Sequence, residues 1–248
     1  LRSIAKIWGL GEVSIAGSHE IALYIPKLAE TPIKERLRFW GRFFLDYPYI
    51  DSPLGEGDIT PRIRTDGFDC MTYVETCLAL ALSDSADSIL GNLDRIRYRN
   101  GIVDFEHRNH FVSIDWLPNN SWLLHPLEES ADSVIERNID RAGFFEKQGR
   151  VFRENSGLPA VQSVKSKIIT PLRIGEMPPQ KLDSTIIMFA GKLDWLVVSH
   201  MGLLFEEDGE VLLYHASSVS RKIVRLPLGE YFAINFSLKG AIVAEISA

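Results

Sequence analysis

The sequence predicts an α+β protein, and three observations lead there. The N-terminal half carries apolar residues at helical spacing, and the C-terminal third carries short aliphatic runs punctuated by turn residues. Between them lies no internal repeat and no low-complexity linker. Helices first and a strand meander afterwards is an α+β layout, read as a helical part packed on a C-terminal antiparallel sheet or partly open barrel. The 248 residues suit one domain over 1–248, with 1–46 as a helical N-terminal extension.

Taken in order, Leu23 to Leu28 reads as a short helical piece broken by Pro26. Thr31 to Asp46 reads as a helix, with Thr31 as N-cap, Pro32 as its first residue, and Ile33, Leu37, Trp40 and Phe44 on one face. The stretch 47–69, YPYIDSPLGEGDITPRIRTDGFD, holds three Pro, three Gly and five acidic residues, and reads as a long ordered loop. A helix follows from Cys70, with Asp69 as N-cap and Val74, Cys77, Leu78, Ala81 and Leu82 as its apolar stripe. Ser85 to Tyr98 reads as another, with Ile89, Leu93 and Ile96 inward. Gly101 to Trp122 reads as loop and short strand, Ala131 to Phe145 as helix, and Gly149 to Leu182 as irregular. The strands expected are Ser184–Ala190, Leu196–Phe205, Val211–Ala216, Lys222–Leu226 and Gly240–Ile246.

Composition excludes several classes. At 46% hydrophobic and 24% charged the chain is neither disordered nor collagen-like. A net charge of −6 without basic runs lacks the footprint of a nucleic-acid binder. No apolar run approaches the roughly 18 to 20 residues that cross a bilayer, and the longest, Trp195 to Phe205, carries His200. The chain begins at Leu1 rather than Met, which reads as a trimmed chain or a mature form whose leader has been removed. The expected compartment is periplasmic or exported, with the cytoplasm left open. The two cysteines, seven residues apart on one expected helix, would sit about 10 Å apart and are not expected to bridge.

Cys70 opens its helix, where unpaired backbone N–H groups favour a thiolate and are able to hold an oxyanion. The competing reading is a small buried hydrophobe. Cys77, within the apolar stripe, reads as core. A thiol nucleophile needs a base, and His200 and His215 lie on adjacent strand runs joined by EEDGE. If the hairpin closes through an even-numbered loop centred on Asp208–Gly209, Phe205 stands opposite Leu212 and Gly202 opposite His215. His200 and His215 then share a face as diagonal neighbours roughly 7 Å apart, whereas an odd loop would separate them. Gly202 beside them marks a close approach by backbone or ligand. That is a nucleophile, base and orienter arrangement. His107 and His110 have local metal spacing on a helix, yet no HExxH or paired CxxC accompanies them. Walker, GxGxxG and GxSxG motifs are absent as well.

The segments YPYIDSPLGEG, FDCMTYVETCLALALS, IRYRNG, HRNHFVSIDW, VSHMG and YHASS occur in that order between Tyr47 and Ser218. Together they resemble the N-acetylmuramoyl-L-alanine amidase-like family, a branch of the NlpC/P60 cysteine hydrolases with a papain-like fold. The resemblance implies Cys70 as nucleophile, His200 as general base and His215 as the group that orients it. It also implies substrate-side roles for Tyr49, Asp69, Arg97, Arg99 and Trp116. One departure is HRNHF, where the family more often shows an Arg-Leu-His-Tyr type sequence. The implied reaction cleaves the bond between N-acetylmuramic acid and L-alanine in peptidoglycan fragments, by a monomer needing no metal or organic cofactor. Rival readings are an endopeptidase acting between D-glutamate and the diamino acid of the stem, a non-catalytic cell-wall-binding module, and a zinc amidase.

Overall fold

The computed structural model describes residues 18–54, 63–153 and 157–247. Four helices come first: α1 Ser18–Leu28, α2 Ile33–Phe43, α3 Cys70–Ala81 and α4 Ser88–Arg97. In α1, Ile21 and Ile25 are buried on one face. Pro26 does not break it, because a proline in the last turn removes little of the hydrogen-bond ladder. The start of α2 also differs from expectation. Pro32, at φ −53° and ψ 143°, stands outside the helix, and its carbonyl accepts from the Glu35 and Arg36 N–H groups at 3.0 Å. No side chain caps that end, so Thr31 is not the N-cap.

Helix α3 is buried from Thr72 to Ala81, mostly by apolar side chains, and its one buried carboxylate, Glu75, is paired. It packs against α2, α4 and the sheet. Gly41 of α2 admits the contact: its carbonyl accepts the Tyr73 hydroxyl at 2.8 Å, and an added Cβ would lie 2.7 Å from the Phe205 ring. On α4, Ile89, Leu93 and Ile96 are fully buried, as the spacing predicts.

The sheet has six antiparallel strands. They are β1 Leu124–Pro126, β4 Thr185–Ala190, β5 Val198–Glu207, β6 Glu210–Ser217, β7 Lys222–Pro227 and β8 Gly240–Ile246, in the spatial order β1-β8-β4-β5-β6-β7. Side-chain alternation divides the core in two. Ile186, Met188, Met201, Leu203 and Phe205 join the helical side. Ile187, Phe189, Leu204 and Leu213 face a second cluster on the other side. That second side is covered by short helices α6 Pro171–Gly175, α7 Pro179–Leu182 and α8 Leu228–Ile234.

The middle of the chain departs furthest from the sequence reading. Ser133–Asp140 is a strand, β2, rather than the helix expected over Ala131 to Phe145. Only Arg141–Lys147, α5, is helical there. Its buried residues, Ile135 and Ile139, are four apart, a spacing that suits a helix face and a strand face equally. Its partner, β3 Val161–Ile168, lies in the stretch read as irregular. Between Gly101 and Trp122 the chain forms a π-helical turn, Val112–Trp116, and a short helical piece, Leu117–Asn119, in place of a strand. The long loop closes on itself: Phe68 N–H donates to Pro48 at 3.0 Å and Ile50 N–H to Phe68 at 3.0 Å. Residues 55–62, which include the whole GEG segment, lie outside the described residues.

Arg97 is locked in this core. Its guanidinium meets the Glu75 carboxylate at 2.6 Å, with both side chains almost fully buried. Glu75→Leu strands that cation and should cost about 3–5 kcal/mol of stability. Pairing it with Arg97→Met should restore much of the loss, read by denaturant unfolding. An unchanged unfolding midpoint in Glu75→Leu would refute this structural role.

Candidate active site

Cys70 is the first residue of α3, and the start of that helix is built by Asp69 and Thr72. The Asp69 carboxylate accepts from the Thr72 N–H at 2.7 Å, while the Thr72 hydroxyl oxygen accepts from the Asp69 N–H at 3.0 Å. This reciprocal cap fixes the first turn. Asp69 therefore serves the helix, with its Oδ1 engaged in the cap.

The thiol reaches β5 one residue from His200. The backbone N–H groups of Met201, Cys70 and Met71 lie near enough to favour the thiolate. The register of β5 with β6 runs from Leu203↔Tyr214 to Glu207↔Glu210, so Met201 lies beyond the paired segment. The helix start was expected to lower the thiol pKa. Instead it is pushed up to about 12, first by burial of the sulfur and then by the Asp69 carboxylate, which outweigh the three N–H groups. Part of the residue's surface stays accessible even though the protein packed around the sulfur removes its water. Cys77 is fully buried in the core, its thiol in contact with Tyr73.

Phe205 pairs with Leu212, and Leu204 with Leu213, as a two-residue turn requires. Asp208 and Gly209 sit at φ 53° and 86°. His200 and His215 consequently share a face, and His200 Nε2 lies 2.8 Å from His215 Nδ1. Burial pushes His200 down to about 3, aided by His215 and Lys192, and pushes His215 to about 4. Two neutral rings sharing one proton suit that distance. Gly202 marks the approach of β6 itself: an added Cβ would meet the Tyr214 carbonyl at 2.6 Å and the His215 Cβ at 3.1 Å.

Tyr49 stands beside the thiol. Its phenol pKa is raised by burial first, then by Cys70 and Asp69. The Arg221 guanidinium covers its ring at 4.9 Å, and its N–H donates to the Arg221 carbonyl at 2.9 Å. Tyr231 of α8 was not foreseen. It stacks on His200 at 5.9 Å and 23°, meets His215 at 5.2 Å, and its phenol is raised by burial and by the charge of Cys70. With Ser199, Ser217 and Lys192, these three rings line a cavity of about 480 Å³. The seven residues LGEYFAI after Pro227 were too short to signal a helix.

The remaining residues inferred for the substrate side lie elsewhere. Trp116 is fully buried in the helical core, and Arg97 is paired with Glu75. Arg99 is half-buried in the turn Arg99–Gly101, where its N–H donates to His107 at 2.7 Å. His107 and His110 are not on a helix. His107 pairs with Asp104 at 2.8 Å, and His110 Nε2 bonds the Phe105 carbonyl at 2.7 Å. Among the described residues, no three His, Cys, Asp or Glu side chains gather as a metal-binding set, and no helix is long and apolar enough to cross a membrane.

An α+β frame holding a thiol at a helix start, and a bonded histidine pair bordering a cleft, has the parts of a hydrolase. The family model described as AmiA-like, N-acetylmuramoyl-L-alanine amidase-like, matches residues 40–238, and the chain belongs to that family. A Legionella pneumophila str. Philadelphia 1 protein of the DUF1460 family has the same fold, with TM-score 0.77 and 23% identity over 93% of this chain and 94% of its own. An N-acetylmuramoyl-L-alanine amidase from Bacteroides uniformis ATCC 8492 is similar at TM-score 0.72 and 25% identity, covering 87% of this chain and 99% of its own. No curated protein matches.

Two outcomes follow from this geometry. Gly202→Ala should lose about 1–3 kcal/mol through the clash with β6, and thermal unfolding that matches the unsubstituted chain would contradict the packing. The second concerns acid. His200, His215 and His110, the last held at about 3 by burial, all lie below the ordinary 6.5. The unfolded chain then binds protons the folded chain refuses. Their contribution is complete above about pH 6.5 and declines as pH falls toward about 3–4. Denaturant midpoints should already drop between pH 6.5 and 5, above the range of the carboxylates. A flat profile there would count against the buried neutral pair.

Proposed function

We propose that this chain is a cysteine amidase of the NlpC/P60, papain-like type that hydrolyses the N-acetylmuramoyl–L-alanine bond of peptidoglycan fragments. The observation that carries it is the 2.8 Å His200–His215 bond on the strand whose next residue, Met201, brings its N–H close to the Cys70 thiol. Family membership supports the amide bond and the cell-wall substrate. The reading carries its compartment with it, the periplasm or the cell exterior, where such fragments arise, and a monomer suffices.

The mechanism follows from the charge states. With the thiol raised and the imidazole lowered, the free site rests as a neutral pair. Attack and proton transfer are then coupled. In the productive tautomer His200 Nε2–H donates to His215 Nδ1, leaving Nδ1 of His200 to accept the Cys70 proton. The sulfur adds to the amide carbonyl as its proton passes to His200. The N–H groups that meet the sulfur, those of Cys70, Met71 and Met201, surround the developing negative charge. The protonated His200 gives that proton to the departing L-alanine nitrogen, and the C–N bond breaks to leave a thioester on Cys70. Water, deprotonated by His200, then cleaves the thioester, releasing the muramoyl lactyl carboxylate and restoring the thiol.

Cys70→Ala and Cys70→Ser should abolish hydrolysis with folding intact, and Cys77→Ala should retain most activity. His200 substitution should be more damaging than His215 substitution, because loss of the base removes proton transfer while loss of the orienter loosens it. Iodoacetamide should inactivate faster as pH rises, and excess chelator should leave activity unchanged. The decisive measurement is mass analysis of a muropeptide digest. Free L-alanine N-termini with an intact lactyl carboxyl are expected. A disaccharide dipeptide plus a peptide starting at the diamino acid would show an endopeptidase and overturn the assignment.

A further inference from the structure

We infer that Tyr231 is a positioning residue: with Phe189 it forms an aromatic wall that holds the His200 imidazole in the plane where Nε2 bonds His215. The role rests on the amidase reading above, in which His200 is the base.

The ring centroids define the wall. Phe189 and Tyr231 each lie 5.9 Å from His200, at 20° and 23° to its plane, and 4.5 Å from each other. Both rings therefore lie along the same side of the imidazole. His215 meets it edge-on at 4.9 Å and 89°, and Tyr231 also meets His215 at 5.2 Å. Phe189 is the cross-strand partner of His200 and would be present on the sheet in any case. Tyr231 arrives from another element. Leu228 and Phe232 anchor α8 in the second core cluster, and this turns Tyr231 over both histidines.

Such a wall matters because the imidazole borders a cavity of about 480 Å³ and, among the described residues, hydrogen-bonds one side chain, that of His215. A ring free to rotate there would present its base nitrogen to the thiol only part of the time. The wall also keeps water from two imidazoles that burial holds neutral. The groups facing His200 are His215 from β6, Lys192 from the loop before β5, Tyr231 from α8 and Phe189 from β4, with the Cys70 thiol reaching the adjacent Met201. Removing the aromatic ring leaves the other four in place.

The test compares Tyr231→Phe, Tyr231→Met and Tyr231→Leu in the full chain, by muropeptide kinetics against pH and by NMR titration of the histidine rings. Phe should keep kcat within about twofold, whereas Met and Leu should lower it roughly tenfold to a hundredfold with KM nearly constant. The same two variants should raise the His200 and His215 titration midpoints toward 6.5 by about one unit, and Phe should leave them in place. Tyr231→Met keeps most of the volume and serves if Leu fails to fold. Unmoved midpoints and kcat in Met or Leu would overturn the proposal. So would a Phe variant as damaged as Leu, which would transfer the role to the hydroxyl. An unsubstituted chain inactive on muropeptides would refute the amidase reading instead, and the NMR midpoints would still judge the wall.

Discussion

Asp208 and Gly209 both adopt positive φ, and a two-residue turn of that kind matches the twist of the strands it joins. It commits β5 and β6 to an even register, from Leu203↔Tyr214 to Glu207↔Glu210. Every side chain of both strands is thereby assigned a face. Phe205 and Tyr214 turn to the helical core, and His200 and His215 turn together to the other side. An insertion of one residue in the turn would exchange the faces of one strand and part the histidines. Gly202 tightens the same constraint, because only a residue without Cβ lets the Tyr214 carbonyl and His215 come so near. The cleft, the bonded histidine pair and the aromatic wall all presuppose this register.

Two physical effects compete at the thiol, and magnitudes decide between them. A helix start stabilises a nearby anion by about 0.3–1 kcal/mol, reaching about 2 in partly buried settings. The rise of Cys70 from 9.0 to about 12 corresponds to about 4 kcal/mol in the opposite direction. Desolvation wins in the free protein. Under the proposed mechanism the N–H groups would act mainly when charge develops during attack, which is where preorganised donors contribute most to rate. A site of this kind keeps a protonated thiol at rest.

Legibility in the sequence followed how local each signal was. The five C-terminal strands and the register of the hairpin were readable because turn chemistry and alternation lie within a few residues. The histidine pair came with them. β2 was not readable, since Ile135 and Ile139 satisfy two periods and its partner lies more than twenty residues away. α8 was missed for its brevity, and Tyr231 with it. The direction of the Cys70 shift was misread because a helix start is visible in sequence whereas burial of the sulfur depends on β5, which is remote in the chain.

Arg97, Asn109 and Trp116 are all buried, in or beside a part of the chain with little regular structure. The segment from Tyr98 to Leu123 contains only turns and short helical pieces, so its buried backbone groups have no ladder to satisfy them. Side chains take that task. Asn109 and Asn120 both donate to the Ile96 carbonyl, at 3.0 and 2.9 Å. Asp115 accepts from the Phe111 N–H and receives both Arg141 nitrogens at 2.8 and 2.6 Å. Arg97 and Glu75 tie the end of α4 to α3, the helix that presents Cys70. Buried polar groups of this kind tolerate few replacements, because each loss strands a partner away from water. Of these contacts, the Arg97–Glu75 pair is the one that reaches α3, and it fixes α4 against the helix that carries Cys70.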